Sequence, residues 1–288
     1  KSSPLKFRKI HRGERGKIAK SIKISLAMRP PYDWKATLAF FEIHQIDGVR
    51  AVDQDCIQRV FEIDKDLCGF QLGQSSERTL DVELFGDYQN HIPKILNQIK
   101  RMFDLSADLE QIHRVFSKNK ILKRLIQKRP GLRVIGYWDF YECCICTILG
   151  QLVSITQANQ LIGKLVKTYG QKVESPIGGD IAYLFPTPQV LAKAKLEELG
   201  TTKKRKETIR QLSELVARGA IPSTGDMDVS QLRESLLAVA GVGQWTIEYV
   251  LLRGLGDSNA FPATDLILKR ALETFPSLKK SDYSPWRG

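Results

Sequence analysis

An acidic residue at the start of a helix, two glycines where two other helices meet, and two aromatic rings one turn apart are the groups in this chain best placed to do chemistry. Asp265 ends the run Phe261-Pro262-Ala263-Thr264-Asp265 and opens the apolar-periodic stretch 265–275. As an N-cap, its carboxylate would accept free backbone N–H groups at the favourable end of the helix dipole. Held rigid in a dry, aromatic-lined cleft, the same carboxylate would stabilise positive charge growing on a substrate. The two roles are compatible. Upstream, Leu236-Leu237-Ala238-Val239-Ala240 runs into Gly241-Val242-Gly243, and a second helical pattern starts at Gln244. Two glycines permit a hairpin too tight for a β-carbon and uncover amide N–H groups for an anion such as a DNA phosphate. Taken alone, a Gly-x-Gly turn that merely links helices reads the same way. Trp245 and Tyr249 share one face of that second helix, as core packing or as the wall of a pocket.

These groups need a scaffold. The chain has 288 residues, enough for about two domains, and a net charge of +12. Residues 1–23 hold nine Lys/Arg against the single Glu14, so the arm carries +8 and the remaining chain +4. A basic arm fits a polyanion through counterion release, although a solvated tail has the same composition. No apolar run reaches the roughly 18–20 residues of a membrane span. Cys56, Cys68, Cys143, Cys144 and Cys146 are odd in number and irregular in spacing. They read as reduced thiols, the last three as buried helix residues rather than metal ligands.

Alternation predicts a strand over 21–27, a helix over 35–44, β-like runs over 51–63, 69–72 and 79–85, and a helix over 92–103. Beyond that the strand signal stops. Helical patterns cover 109–116, 120–126, 137–152, 156–169, 188–194, 203–217, 230–239, 244–254 and 265–275. The fold class is therefore α+β: a small N-terminal antiparallel sheet with helices, then a larger all-α region. The expected division is a basic arm at 1–22, an α+β domain at 23–112 and an all-α domain at 113–288, with the hairpin at 236–250.

Together the hairpin and the loop ending in Asp265 resemble the helix-hairpin-helix DNA glycosylases, most closely the 3-methyladenine DNA glycosylase II (AlkA-type) branch. Further matches are Pro30-Pro31-Tyr32-Asp33-Trp34, Gly150-Gln151-Leu152-Val153-Ser154, Phe185-Pro186-Thr187-Pro188 and Leu252-Arg253-Gly254. The resemblance implies hydrolysis of the N-glycosidic bond of alkylated purines in double-stranded DNA, by base flipping, for base excision repair. It casts Asp265 as the catalytic carboxylate, Trp245, Tyr249 and Phe40 as pocket aromatics, and Leu152 as the wedge that enters the duplex. Pattern alone would put Leu152 at the end of an apolar helix, in the core. Gly241, Gly243 and Thr246 become the phosphate grip, with carbonyls of Leu237, Val239 and Gly241 around a structural Na+ or K+; no cofactor is required. A monomeric, cytoplasmic, nucleoid-associated bacterial protein with no membrane partner is implied.

Two departures narrow the chemistry. Relatives that also cut the strand place a Schiff-base Lys two residues after the second hairpin glycine, where this chain has Trp245, so no lyase activity is expected and an oxidised-purine glycosylase is disfavoured. Members with an iron–sulfur cluster carry four Cys after the catalytic region; here no Cys follows Cys146. The chain stops at Ser284-Pro285-Trp286-Arg287-Gly288, where relatives continue into a final helix that can supply a pocket aromatic. Ser3-Pro4-Leu5-Lys6-Phe7-Arg8-Lys9 resembles the last turn of an AraC-type helix-turn-helix domain, the remnant of a fused arrangement. A catalytically weak or inactive DNA-binding or regulatory protein is the competing reading; intact Asp265 argues against it.

Overall fold

The computed structural model describes residues 21–224 and 226–279. Most of the basic arm, the segment likened to a helix-turn-helix domain and the chain's last nine residues lie outside the described residues. Alternating sequence builds a five-stranded antiparallel sheet from β1 (Ser21–Ala27), β2 (Arg50–Asp53), β3 (Cys56–Ile63), β4 (Asp66–Ser76) and β5 (Thr79–Gly86), in the order β1-β5-β4-β3-β2. The run expected over 51–63 is two strands. They turn at Gln54, which has φ +53°. The next hairpin turns at Asp64 and Lys65, at φ +51° and +76°, the backbone of a tight primed turn made without glycine.

Helix α1 (Trp34–Ile43) is N-capped by Asp33, whose carboxylate accepts the Ala36 N–H at 2.9 Å. Trp34, Thr37, Leu38 and Phe41 form its buried stripe. Helix α2 (Ile92–Met102) buries Ile95, Ile99 and Met102 against the sheet in a core with Phe41, Phe70 and Val82.

The rest is helical: α3 (Leu109–Phe116), α4 (Lys120–Lys128), α5 (Phe140–Leu149), α6 (Ile155–Tyr169), α7 (Pro188–Lys193), α8 (Lys203–Ala217), α9 (Val229–Leu237), α10 (Gln244–Val250), α11 (Leu266–Glu273) and α12 (Pro276–Lys279). A π-helical turn, Leu251–Leu255, continues α10. All ten residues of α5 are buried, as expected of a helix apolar on every side. It is the axis of the second core, ringed by residues of α6, α8, α9 and α10. Cys143, Cys144 and Cys146 lie within it, and burial pushes their thiols well above the usual range. Among the described residues no group of three or more His, Cys, Asp or Glu could hold a metal, and no helix is long and apolar enough to cross a membrane.

The chain crosses between the cores. Ile135 and Trp138 pack with the sheet, and Ile46 and Val49 with the helices. Arg59 of β3 and Glu142 of α5 form a bidentate ion pair between the two cores, 1% and 0% exposed.

Candidate active site

Asp265 is the N-cap of α11. Its Oδ1 accepts the Leu268 N–H at 2.8 Å, and its Oδ2 accepts Nε1–H of Trp245 at 2.9 Å. The second bond decides the site's shape: a carboxylate fixed by its own helix is also tied to the first turn of α10, next to the glycine hairpin. Each oxygen keeps a lone pair, so the group is held without being used up.

Trp245 and Tyr249 stand 5.4 Å apart, ring to ring. They share the wall of a cavity of about 140 Å³ with His44, Tyr137, Asn159 and Ile162. Asp265 meets this cavity through Trp245 and does not itself line it. Phe40 is likewise displaced from the expected wall: it stacks on His44 with centroids 4.4 Å apart, one layer behind the lining. The π-helical turn brings the Arg253 guanidinium to 4.8 Å from the Phe40 ring and 6.0 Å from the Tyr249 ring. A larger cavity, about 690 Å³, lies elsewhere, between the sheet and the helices beside Arg59 and Asp139, with none of the expected site residues in its wall.

Leu152 is fully exposed, at 103%, with φ +54°. Helix α5 ends at Leu149, so the core position suggested by the apolar pattern does not exist. A left-handed leucine costs roughly 1–2 kcal/mol, a cost held in place by its surroundings. Those surroundings are specific. The Gln151 carbonyl accepts Nη2–H of Arg205, while Gln151 Nε2 donates to the Gly241 carbonyl at 3.1 Å and to Thr246 Oγ1 at 2.9 Å. On the far side Ser154 and Gln157 form a reciprocal capping box at the start of α6.

At the hairpin the two glycines act differently. Gly241 has φ +91°, and a β-carbon there would lie 2.3 Å from Thr208 Oγ1. Gly243 has φ −106°, with open space where a β-carbon would go. The tight-turn argument therefore holds at Gly241 and fails at Gly243, where the missing side chain leaves the uncapped start of α10 approachable. Thr246 is buried, and its hydroxyl oxygen accepts Nε2–H of Gln151, so its side chain braces the hairpin against the loop of Leu152 while its own O–H is kept as a donor. Of the three carbonyls expected around a cation, that of Gly241 is engaged by Gln151, and that of Val239 accepts the Val242 N–H at 3.0 Å.

Residues 23–139 match the AlkA N-terminal domain family, and residues 145–285 match the HhH-GPD superfamily of base excision DNA repair proteins. DNA-3-methyladenine glycosylase 2 of Escherichia coli (strain K12) is 30% identical over 277 residues, covering 91% of this chain and 93% of that one. The chain belongs to the AlkA-type helix-hairpin-helix DNA glycosylases. A second relative of this glycosylase, the probable bifunctional transcriptional activator/DNA repair enzyme AlkA of Mycobacterium tuberculosis (strain H37Rv), is 27% identical over 93% of this chain and 55% of its own length. In fold, the glycosylase is similar to the solved 3-methyladenine DNA-glycosylase from Archaeoglobus fulgidus, with a TM-score of 0.77 over 92% of this chain and 90% of that one, at 22% identity.

Several groups of this glycosylase's site escape local sequence patterns. Gln151, Arg205 and Glu248 act through partners 13 to 95 residues away, and His44 lies just past the end of α1. Burial, then the charges of Arg253 and Arg50, push His44 down from 6.5 to about 4, so a neutral imidazole faces the pocket at neutral pH. A histidine depressed on folding adds no cost above its unfolded value; as pH falls from 6.5 toward 4 the unfolded chain takes up the proton first, and stability is lost. Asp139 is raised to about 6 by burial and then by Glu142, and works in the opposite direction over the same range. His44→Gln should therefore gain stability relative to wild type between pH 7 and about pH 4.5, read from paired urea midpoints. A difference that stays constant across that interval would show that His44 does not titrate this way.

Proposed function

We propose that this glycosylase hydrolyses the N-glycosidic bond of alkylated purines of the 3-methyladenine and 7-methylguanine type in duplex DNA, leaving the strand uncut. The observation that carries the reading is the Trp245–Asp265 hydrogen bond, which joins a rigid carboxylate to a pocket wall on the same helix that leaves the glycine hairpin.

In this account the open face at Gly243 and the first amides of α10 take a backbone phosphate without reading sequence. Leu152, stiffly mounted and bare of contacts, fills the gap left by the target nucleotide, which swings out at a cost of a few kcal/mol. A purine alkylated at N3 or N7 already carries positive charge and departs as a neutral base, so little leaving-group protonation is needed. Asp265 then stabilises the sugar as it gains oxocarbenium character and helps place the attacking water. Arg253 already faces the Tyr249 ring, so Trp245 supplies most of a cation–π preference worth roughly 0.5–2 kcal/mol. An indole cannot form a Schiff base, which supports base removal without lyase chemistry. A structural Na+ or K+ at the hairpin would be held by the carbonyls of Leu237, Val239 and Gly241, the last two each keeping a second lone pair, and would add positive charge near the phosphate.

The test is a duplex with one 7-methylguanine, analysed before and after an endonuclease specific for abasic sites, beside an enzyme-free control. The expected result is an intact strand that becomes cleavable by that endonuclease at the lesion and forms no borohydride-trapped adduct. Binding with no cleavable site above the control would point to the non-enzymatic alternative. Leu152→Ala should unfold within about 0.5 kcal/mol of wild type, as expected for an exposed side chain, yet release a paired lesion roughly 10–30-fold more slowly because flipping loses its wedge. Equal rates on paired lesions, measured under single-turnover conditions, would remove Leu152 from the mechanism.

A further inference from the structure

The loop that delivers Asp265 is held at its other end by a buried acid. Glu248 lies one turn past Trp245 on α10 and is 8% exposed. Its Oε2 accepts the Phe261 backbone N–H at 2.9 Å; Gln244 Nε2 donates to its Oε1 at 2.8 Å, and Arg233 of α9 pairs with both oxygens. Arg233 also reaches Asp257, at 3.8 Å, where the loop begins.

Residues three apart on a helix share a face, so Trp245 and Glu248 grip the two ends of the five-residue segment from Phe261 to Asp265. Little slack lies between the grips. The Ala263 N–H donates to the Phe261 carbonyl at 2.8 Å, and the Asp265 N–H to that of Pro262 at 2.8 Å. A shift of Phe261 therefore carries through to the carboxylate. We infer that Glu248 is a positioning residue for the reaction: by accepting the Phe261 N–H it sets where Asp265 stands relative to the flipped sugar. The inference rests on Asp265 acting as the catalytic carboxylate.

Removing Glu248 alone would leave Arg233 only its longer contact to Asp257, whereas replacing both partners with apolar groups of similar size is often neutral. The decisive pair on the full chain is thus Arg233→Met with Glu248→Met, which lacks the acceptor, and Arg233→Met with Glu248→Gln, which keeps it. Both are measured by single-turnover release of 7-methylguanine and by affinity for undamaged duplex. The Met/Met protein is expected to be about 30–100-fold slower at unchanged affinity, since small misplacements of a reacting group are costly. The Met/Gln protein should return to within about fivefold of wild type, because its amide oxygen can still accept the Phe261 N–H. Equal rates for the two double variants, fast or slow, would overturn the positioning role. Asp265→Asn at the wild-type rate would instead overturn the reading beneath it, and the inference with it.

Discussion

Asp265→Asn should slow base release about a thousandfold, or ~4 kcal/mol in the barrier, while binding undamaged duplex as wild type does. Asn caps helices about as well as Asp, so α11 should keep its start, but its one amide oxygen is then spent on the Leu268 N–H and an NH2 group faces the Trp245 N–H. What the variant lacks is the negative charge beside the sugar, together with the acceptor for Trp245. Single-turnover kinetics at saturating enzyme separate that loss from binding. A variant within tenfold of wild type would reject Asp265 as the group that carries the chemistry.

The largest stability effect should come from Glu142→Ala. Arg59 and Glu142 are 1% and 0% exposed, and the guanidinium also lies 5.3 Å from the Trp138 ring. Deleting the acid leaves a buried charge alone at the seam between the sheet and α5, at a cost of about 3–5 kcal/mol. The expected readout is a large fall in the urea midpoint. Adding Arg59→Met should restore most of it, because the penalty belongs to the unpaired ion rather than to any lost attraction. A midpoint unchanged by Glu142→Ala would mean that the pair is hydrated in solution. Both outcomes bear on function, since α5 leads directly into the loop that carries Leu152.

The sequence was most legible where structure is local. The bounds of α3 and α8 could be read directly, because an N-cap and a 3.6-residue apolar stripe sit within one stretch. The Asp64-Lys65 turn was invisible because its positive φ values are set by strand pairing, without the glycine that normally signals them. Composition likewise extended α5 through Leu152, whereas the helix stops at Leu149 and the next residues are turned outward by Gln151 and Arg205.

At the candidate site, residue types and order pointed to Asp265, Trp245 and Tyr249, but the bond between Asp265 and Trp245 is a three-dimensional fact. Phe40 illustrates the limit: the motif Pro30-Pro31-Tyr32-Asp33-Trp34 brings α1 to the right place, yet which ring on that helix meets the cavity depends on His44 and Arg253 packing around it. Thr246 shows the same limit from the other side: nothing local to a hydroxyl at a helix start announces that a glutamine 95 residues away donates to it.

Mass-spectrometric measurement of free 3-methyladenine and 7-methylguanine, after wild-type and Asp265→Asn proteins are incubated with methylated duplex DNA, tests the central claim most directly. The account expects both bases in the wild-type supernatant, the DNA retaining its strands but gaining abasic sites, and almost no free base from the variant. Wild-type protein that binds this DNA and liberates neither base would contradict it.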